Sequence, residues 1–218
     1  MVTFLMSAQR ILHDHFFREA KRNGYRSRAA YKLLEIDDKR DILRKRDYVL
    51  DLGAAPGSWL QVASQRVGPR GRVIGVDLKE IKNLHLDNVT TMEEDVTKLS
   101  LDTFGDDTMF DVILSDMAPS TTGNRTIDHH GSVRLCHTAL DIAATLLSPK
   151  GNLVMKVLEG EAYRELLDRC ESCFTVAKGY KPKASRAIST EMFFVCTGRR
   201  DDMPKPMDVA PPPPTSGW

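Results

Sequence analysis

The sequence predicts an α/β fold: an open, mostly parallel seven-stranded sheet with helices on both faces and an antiparallel hairpin at its C-terminal end. Three observations predict it. Strand-like and helix-like stretches alternate from residue 48 to residue 173, the order that builds a parallel sheet. The strand-like stretches are near-continuous apolar runs, as expected where both faces are covered. The last two, Phe174 to Tyr180 and Glu191 to Thr197, have no helix between them and so should pair antiparallel.

The elements follow in order. Ser27 to Asp38 is a leading helix whose Ala30, Leu33 and Leu34 would pack on the domain. Tyr48 to Leu52 is a buried strand ending at Gly53, and Ser58 to Val67 has helical spacing and stops at Gly68-Pro69. Arg72 to Asp77, Asn88 to Met92 and Phe110 to Ser115 are the next strands. A helix over Ser132 to Leu147 closes at Ser148-Pro149-Lys150-Gly151, and Asn152 to Val157 is the fifth strand. Glu161 to Cys173 is an amphipathic helix. Met117 to Gly131 reads as a long polar loop, a mobile lid over a substrate, with His129 and His130 as loop residues. Pro204, Pro206 and Pro211 to Pro214 make residues 201–218 a disordered tail. The expected organisation is a basic helical segment over 1–47, a catalytic domain over 48–200 and that tail.

Composition excludes several classes. A 41% hydrophobic and 28% charged chain of 218 residues is ordinary for a globular protein. No apolar run reaches the ~18–20 residues that span a bilayer. Met1 to Arg10 lacks a secretory cleavage pattern, and Asp14 and Glu19 argue against a mitochondrial leader, so the expected location is cytoplasmic. Four cysteines with a single C-x-x-C, Cys170 to Cys173, offer no second ligand pair for zinc; free thiols and no metal are expected. The net charge of +1 is uneven. Residues 1–47 hold 12 Lys and Arg against 7 Asp and Glu, and residues 178–200 hold 6 against 1, whereas 48–177 hold 12 against 19. Basic flanks around an acidic centre suit a polyanionic partner.

The strongest local signal is Asp51-Leu52-Gly53-Ala54-Ala55-Pro56-Gly57-Ser58-Trp59, where the first strand meets the next helix. Ligands of open α/β sheets bind there, outside the carboxyl ends of the strands. Asp77, at the end of the second strand, can accept hydrogen bonds from ribose hydroxyls, and Asp95 follows the third. A dinucleotide-dependent dehydrogenase shares these features. Gly53-x-x-x-Gly57 is not G-x-G-x-x-G, however, and Pro56 removes an N–H from the turn that would cradle a pyrophosphate.

Five motifs carry a resemblance: Ser27 to Leu33 (SRAAYKL), Asp51 to Trp59, Ser115 to Pro119 (SDMAP), Val154 to Val157 (VMKV), and Lys183 to Arg186 (KASR) leading to Glu191. In this order they resemble the FtsJ/RrmJ family of ribose 2′-O-methyltransferases, its bacterial large-subunit ribosomal RNA enzymes above all, over residues 14–200. The resemblance implies a Rossmann-like class I methyltransferase that uses S-adenosylmethionine. It implies a catalytic Lys-Asp-Lys-Glu tetrad at Lys32, Asp116, Lys156 and Glu191. It also implies cofactor contacts at Asp51, Gly53, Ala54, Pro56, Gly57, Ser58, Trp59, Asp77, Leu78, Asp95, Val96 and Asp116. Gly57 and Trp59 would meet the methionine moiety, Asp77 the ribose and Asp95 the base. One departure is Thr190, where the family ordinarily has Arg before the Glu.

A ribose hydroxyl is a poor nucleophile, so methyl transfer needs in-line placement and a partner for the departing proton. A lysine can be that partner if burial or a neighbouring cation lowers its pKa. Lys156 is the expected base or orienting group, with Asp116 fixing it and Lys32 and Glu191 orienting the ribose. Arg26, Arg28, Lys181, Lys183 and Arg186 are candidate RNA contacts at the mouth of the crevice. The expected substrate is a uridine of 23S-type ribosomal RNA within the large subunit, and the expected state is a monomer. Transfer RNA as substrate, a small-molecule or protein methyltransferase, and a non-enzymatic RNA-binding assembly factor remain as alternatives.

Overall fold

A computed structural model describes residues 15–105, 108–185 and 189–204 of the chain. After a helical stretch over residues 15–22 comes α1 (Ala30–Arg40), then β1 (Tyr48–Leu52), α2 (Ser58–Val67), β2 (Arg72–Asp77) and β3 (Val89–Glu93). Two short 3-10 turns lead to β4 (Phe110–Ser115), α3 (Arg125–Leu146), β5 (Leu147–Leu158), α4 (Tyr163–Cys173), β6 (Phe174–Tyr180) and β7 (Glu191–Arg199). The seven strands form one sheet in the order β3-β2-β1-β4-β5-β7-β6. Pairs among β1 to β5 are parallel, while β7 runs antiparallel to both β5 and β6. The order reverses between β1 and β4, the place where open α/β sheets hold their ligands.

Side chains alternate between two cores because successive strand residues point to opposite faces. Leu50, Ile113, Leu153, Met155 and Phe194 pack with α3 and α4. Val49, Val112, Leu114, Val154, Phe193 and Val195 pack with Leu33 and Ile36 of α1 and Trp59, Leu60 and Ala63 of α2. The leading helix therefore shares a core with the sheet. Asp37, buried at its end, accepts the N–H groups of Ile42 (3.0 Å) and Leu43 (2.8 Å) and pairs with Arg66 at 3.1 Å, which turns the chain into β1.

Two expectations are corrected. The loop after β4 is shorter than Met117 to Gly131, because α3 begins at Arg125. The Asn124 side chain accepts from the N–H groups of Thr126 and Ile127 and so starts the helix early. His129 and His130 are consequently helical. The sequence hides this because Gly131 and the paired histidines read as a break, whereas the cap and the burial of His129 decide otherwise. The fifth strand is also longer than Asn152 to Val157, starting at Leu147 directly after α3. The four cysteines are free and buried. Of the tail expected over residues 201–218, the part from residue 205 lies outside the described residues, and Met203 before it is buried in the core.

His129 staples the end of β5 to the start of α4. The Ala162 N–H donates to Nε2 (3.0 Å), so Nδ1 carries the proton and donates to the Leu158 carbonyl at 2.7 Å. Replacing His129 with Ala leaves a half-buried carbonyl and N–H without their partner, at about 1 kcal/mol. Urea unfolding of His129→Ala should show that loss as a lower midpoint with an unchanged m-value.

Candidate active site

The registers place the site. Leu114 lies level with Asp51 on β1 and Val154 on β5, and Lys156 lies opposite Phe193 on β7. Asp116 is two residues beyond Leu114, Lys156 two beyond Val154, and Glu191 two before Phe193. Each therefore emerges on the face that carries α1 and α2. Lys32, on α1, reaches the same place from above.

Two ion pairs result. Lys156 Nζ donates to Asp116 Oδ1 (2.8 Å) and also to the Asp116 main-chain carbonyl. Lys32 Nζ pairs with Glu191, 2.8 Å from each carboxylate oxygen, and stands 5.7 Å from the centre of the Phe193 ring. Phe193 thus lies between the pairs. The lysines are 8% and 9% exposed and their partners 14% and 20%. Charges so withdrawn from water need partners in good geometry, and all four have them. The structure brings the four predicted residues together as two pairs.

The turn after β1 shapes the adjoining pocket wall. Gly53 has φ +74°, and a Cβ there would sit 2.7 Å from Met117 Cγ, so only glycine lets the β4 loop close over it. Gly57 has φ +103° and begins α2. The Ala55-Pro56 peptide is cis. Ala54, Gly57, Ser58 and Trp59 are buried, leaving Gly53, Ala55 and Pro56 as the accessible part of the turn. The Trp59 indole N–H donates to the Ala29 carbonyl (2.9 Å), and the ring packs on Phe193, tying α1 to the sheet. Asp77 accepts from the N–H groups of Ala55 and Lys79, both at 2.9 Å, with lone pairs to spare. Leu78 is 68% exposed, whereas Val96 is a core residue. Asp95 accepts from the Thr97 hydroxyl and N–H, which hold its carboxyl below the usual range.

Asp51 is different. Its side chain is wholly buried, and among the described residues neither carboxylate oxygen has a hydrogen-bond partner. Burial first, then the neighbouring charges of Asp116 and Asp77, push its pKa well above the ordinary carboxylate value.

The candidate RNA contacts are more scattered. Arg26 donates to the carbonyls of Pro56 (2.9 Å) and Asn83 (2.6 Å), Arg28 to that of Ala184 (2.8 Å) and Lys181 to that of Ser189 (2.8 Å). These contacts pin loops around the crevice. Lys183 is exposed, and its N–H donates to Glu35. Arg186 lies outside the described residues. Sequence reasoning missed Ser185, whose hydroxyl donates to Glu191 Oε1 at 2.7 Å. It also missed Glu35, which accepts from Tyr180 and Lys183 and anchors the loop that carries Ser185. Ser185 stood inside a motif, but its partner is six residues away across a loop; Glu35 had only its place one turn from Lys32.

Comparison with known proteins matches the profile of the FtsJ-like methyltransferases to residues 25–199. The chain belongs to the FtsJ-like methyltransferase family. A ribosomal RNA large subunit methyltransferase E of Nitratidesulfovibrio vulgaris is 46% identical over 193 residues, 86% of this chain and 93% of that one. Its namesake in Acinetobacter baylyi is 42% identical, covering 87% and 88%. A crystal structure of a Plasmodium falciparum protein described as a ribosomal RNA methyltransferase superposes with a TM-score of 0.71 at 30% identity, covering 80% of this chain and 98% of that one. Among the described residues of this FtsJ-like methyltransferase, no cluster of three potential metal ligands occurs and no helix is long and apolar enough to cross a membrane.

The orphaned Asp51 gives the methyltransferase a pH signature. A carboxyl whose pKa is raised on folding holds its proton more tightly in the folded state. Its contribution to stability is complete below the ordinary value of 3.8 and is lost as pH rises through the folded value. Asp51→Asn removes that loss. In the absence of cofactor, the variant should gain melting temperature relative to wild type as pH rises from 4 to 8, by about 2–4 °C per kcal/mol relieved. Parallel melting curves across that range would argue against a buried charge at this position.

Proposed function

We propose that this methyltransferase uses S-adenosylmethionine to methylate the ribose 2′-hydroxyl of a uridine in large-subunit ribosomal RNA. It acts as a cytoplasmic monomer on RNA within the subunit. The observation that carries the reading is the pair of lysine–carboxylate contacts flanking Phe193 at the carboxyl end of the parallel sheet. That arrangement suits a hydroxyl nucleophile, and the relatives bearing the ribosomal RNA name support the substrate.

The residues fit the cofactor. Four carboxylates, Asp51, Asp77, Asp116 and Glu191, share this end of the sheet with two ammonium groups, Lys32 and Lys156, which pair with Glu191 and Asp116. One of those carboxylates is buried without a partner. A ligand with an ammonium and a sulfonium would supply the missing positive charge. Asp51 and the Gly53 to Gly57 turn would hold its amino-acid end, with Asp77 toward the ribose and Asp95 toward the base. When bound, S-adenosylmethionine supplies an electrophilic methyl on sulfur.

The chain's own residues do the rest. Two bonding directions of Lys156 Nζ are taken by Asp116, so the remaining one is fixed in space and open to the substrate hydroxyl. In its neutral form Lys156 keeps both bonds to Asp116 and points its lone pair along the remaining direction, so it orients the hydroxyl for in-line attack and receives its proton, becoming the ammonium of the ion pair. Lys32 and Glu191, braced by Ser185, set the ribose beside it. Pre-set geometry of this kind contributes much of the rate, because the methyl group is already reactive. Arg26, Arg28, Lys181 and Lys183 frame the mouth where the RNA enters, and Arg186, outside the described residues, is a further candidate contact by sequence alone.

Lys156→Ala should lower methyl transfer by about 10²–10⁴-fold while cofactor affinity stays close to wild type. Radiolabelled methyl transfer and calorimetric cofactor binding read the two quantities separately. The substrate is tested by offering large subunits, purified ribosomal RNA and transfer RNA, then digesting the labelled product to nucleosides. Label in 2′-O-methyluridine from the subunit is the expected result. Preference for transfer RNA would replace the substrate, and label on a base would overturn the chemistry.

A further inference from the structure

The opposite rim of the sheet carries a basic surface that methyl transfer does not use. The turn from α2 to β2 encloses an open cleft of about 560 Å³ lined in part by Gly68, Arg70, Gly71, Arg72, Asp87 and Asn88. The segment entering β1 runs alongside. The Arg46 N–H donates to the Val67 carbonyl (2.9 Å), the Arg72 N–H to that of Asp47 (3.1 Å), and Lys45 Nζ to that of Gln65 (3.2 Å). Lys45, Arg46, Arg70 and Arg72 are all exposed there, against Asp87 as the one acid of the cleft lining; the neighbouring carboxylates of Asp47 and Asp111 are turned to the N–H groups of Arg44 (2.7 Å) and Tyr48 (2.8 Å). Among the described residues, no hydrogen bond or ion pair engages the guanidinium groups of Arg46, Arg70 and Arg72. The other exposed arginine of this rim, Arg44, is paired with Asp41 at 3.6 Å.

The platform beneath is rigid. The Ser64 hydroxyl donates to Asn88 Oδ1 (2.6 Å) and Asn88 Nδ2 to the Gly68 carbonyl (3.0 Å). A Cβ at Gly71 would come within 2.4 Å of Val67, so the turn admits no side chain there and Arg70 is held on a tight corner. Arg46 adopts φ +76°, a conformation that costs any residue but glycine, and yet it carries a long cation into solvent. Arg72 opens β2 and Asp77 closes it, which separates this rim from the cofactor end by about 17 Å at 3.3 Å per residue.

We propose that Lys45, Arg46, Arg70 and Arg72 bind the phosphodiester backbone of the RNA substrate at a point remote from the target ribose. The inference rests on the reading of the protein as an RNA methyltransferase. A ligand that reaches both ends of the sheet is a large folded RNA rather than a short oligonucleotide. Unpaired arginines on a fixed corner suit phosphate oxygens, and contacts of this kind add affinity without sequence information.

The test is the variant Arg46→Gly/Arg70→Gln/Arg72→Gln, assayed on full-length large-subunit RNA and on a short oligonucleotide bearing the same target ribose. On the long RNA, KM should rise about tenfold at unchanged kcat. The slope of log affinity against log salt should shrink by about 2–3, near the value for three lost phosphate contacts. Both parameters on the oligonucleotide should match wild type. Arg46→Gly alone should keep or raise the melting temperature, which separates lost charge from lost fold. Unchanged KM and salt slope on the long RNA would overturn the proposal, as would equal damage on both substrates. So would weaker binding to subunits with naked RNA unaffected, which would indicate a protein partner. If wild type methylates neither large subunits nor free RNA, the functional reading fails, and the salt slope of RNA binding still decides this inference by itself.

Discussion

The site depends on strand register. On each of the four central strands an apolar residue seals the core under α1 and α2, and a functional residue stands two positions nearer the carboxyl rim on the same face: Val49 and Asp51, Leu114 and Asp116, Val154 and Lys156, and, on the antiparallel strand, Phe193 and Glu191. A slip of one residue in any pairing would turn that strand's functional group to the opposite core. The packing of Val49, Leu114, Val154 and Phe193 therefore aims the chemistry as well as stabilising the fold. The same registers place Asp51 deepest: level with Leu114 and Val154, it is wholly enclosed, whereas Asp116, Lys156 and Glu191, nearer the rim, each keep some exposure.

Electrostatics then separates the groups that are complete from the group that is not. Lys32 and Lys156 each have a carboxylate at 2.8 Å, so burial of these charges is offset by close partners and further hydrogen bonds. Among the described residues Asp51 has neither a cation nor a donor, and an unpaired buried carboxylate is unfavourable until something positive arrives. Folding thus leaves the end of the sheet short of positive charge at the place where a cationic cofactor would sit. On the proposed reading, the same sign would favour a sulfonium over a pyrophosphate, since a dinucleotide would bring further negative charge to it.

The position of β7 is the other structural decision with consequences for function. By inserting between β5 and β6 and running antiparallel, it brings its first residue to the carboxyl rim of the parallel strands. Glu191 would otherwise be an edge residue. Instead it meets Lys32, which arrives from a helix 159 positions earlier in the chain. The loop leading into β7 is tied to α1 through Glu35 and Arg28, so the leading helix and the last strand are positioned by each other.

Much of this was legible in the sequence because it is written in short-range patterns. The apolar runs mark the strands, the Gly53 to Gly57 spacing marks the ligand turn, and the absence of a helix before β7 marks the antiparallel end. The family motifs named the residues that pair as Lys32 with Glu191 and Lys156 with Asp116. Asp116 was expected to fix Lys156, and it bonds it; the pairing of Lys32 with Glu191 was decided by the tertiary structure alone, because that contact joins residues 159 positions apart and no local pattern encodes it. The structure also decided that Asp51 stands unpartnered, that His129 is a buried helical staple rather than part of a lid, and that Arg26 and Arg28 hold loops in place. A side chain's partner depends on what other segments bring within about 3 Å of it. The sequence determined the elements and the face on which each residue emerges; packing determined what it meets there.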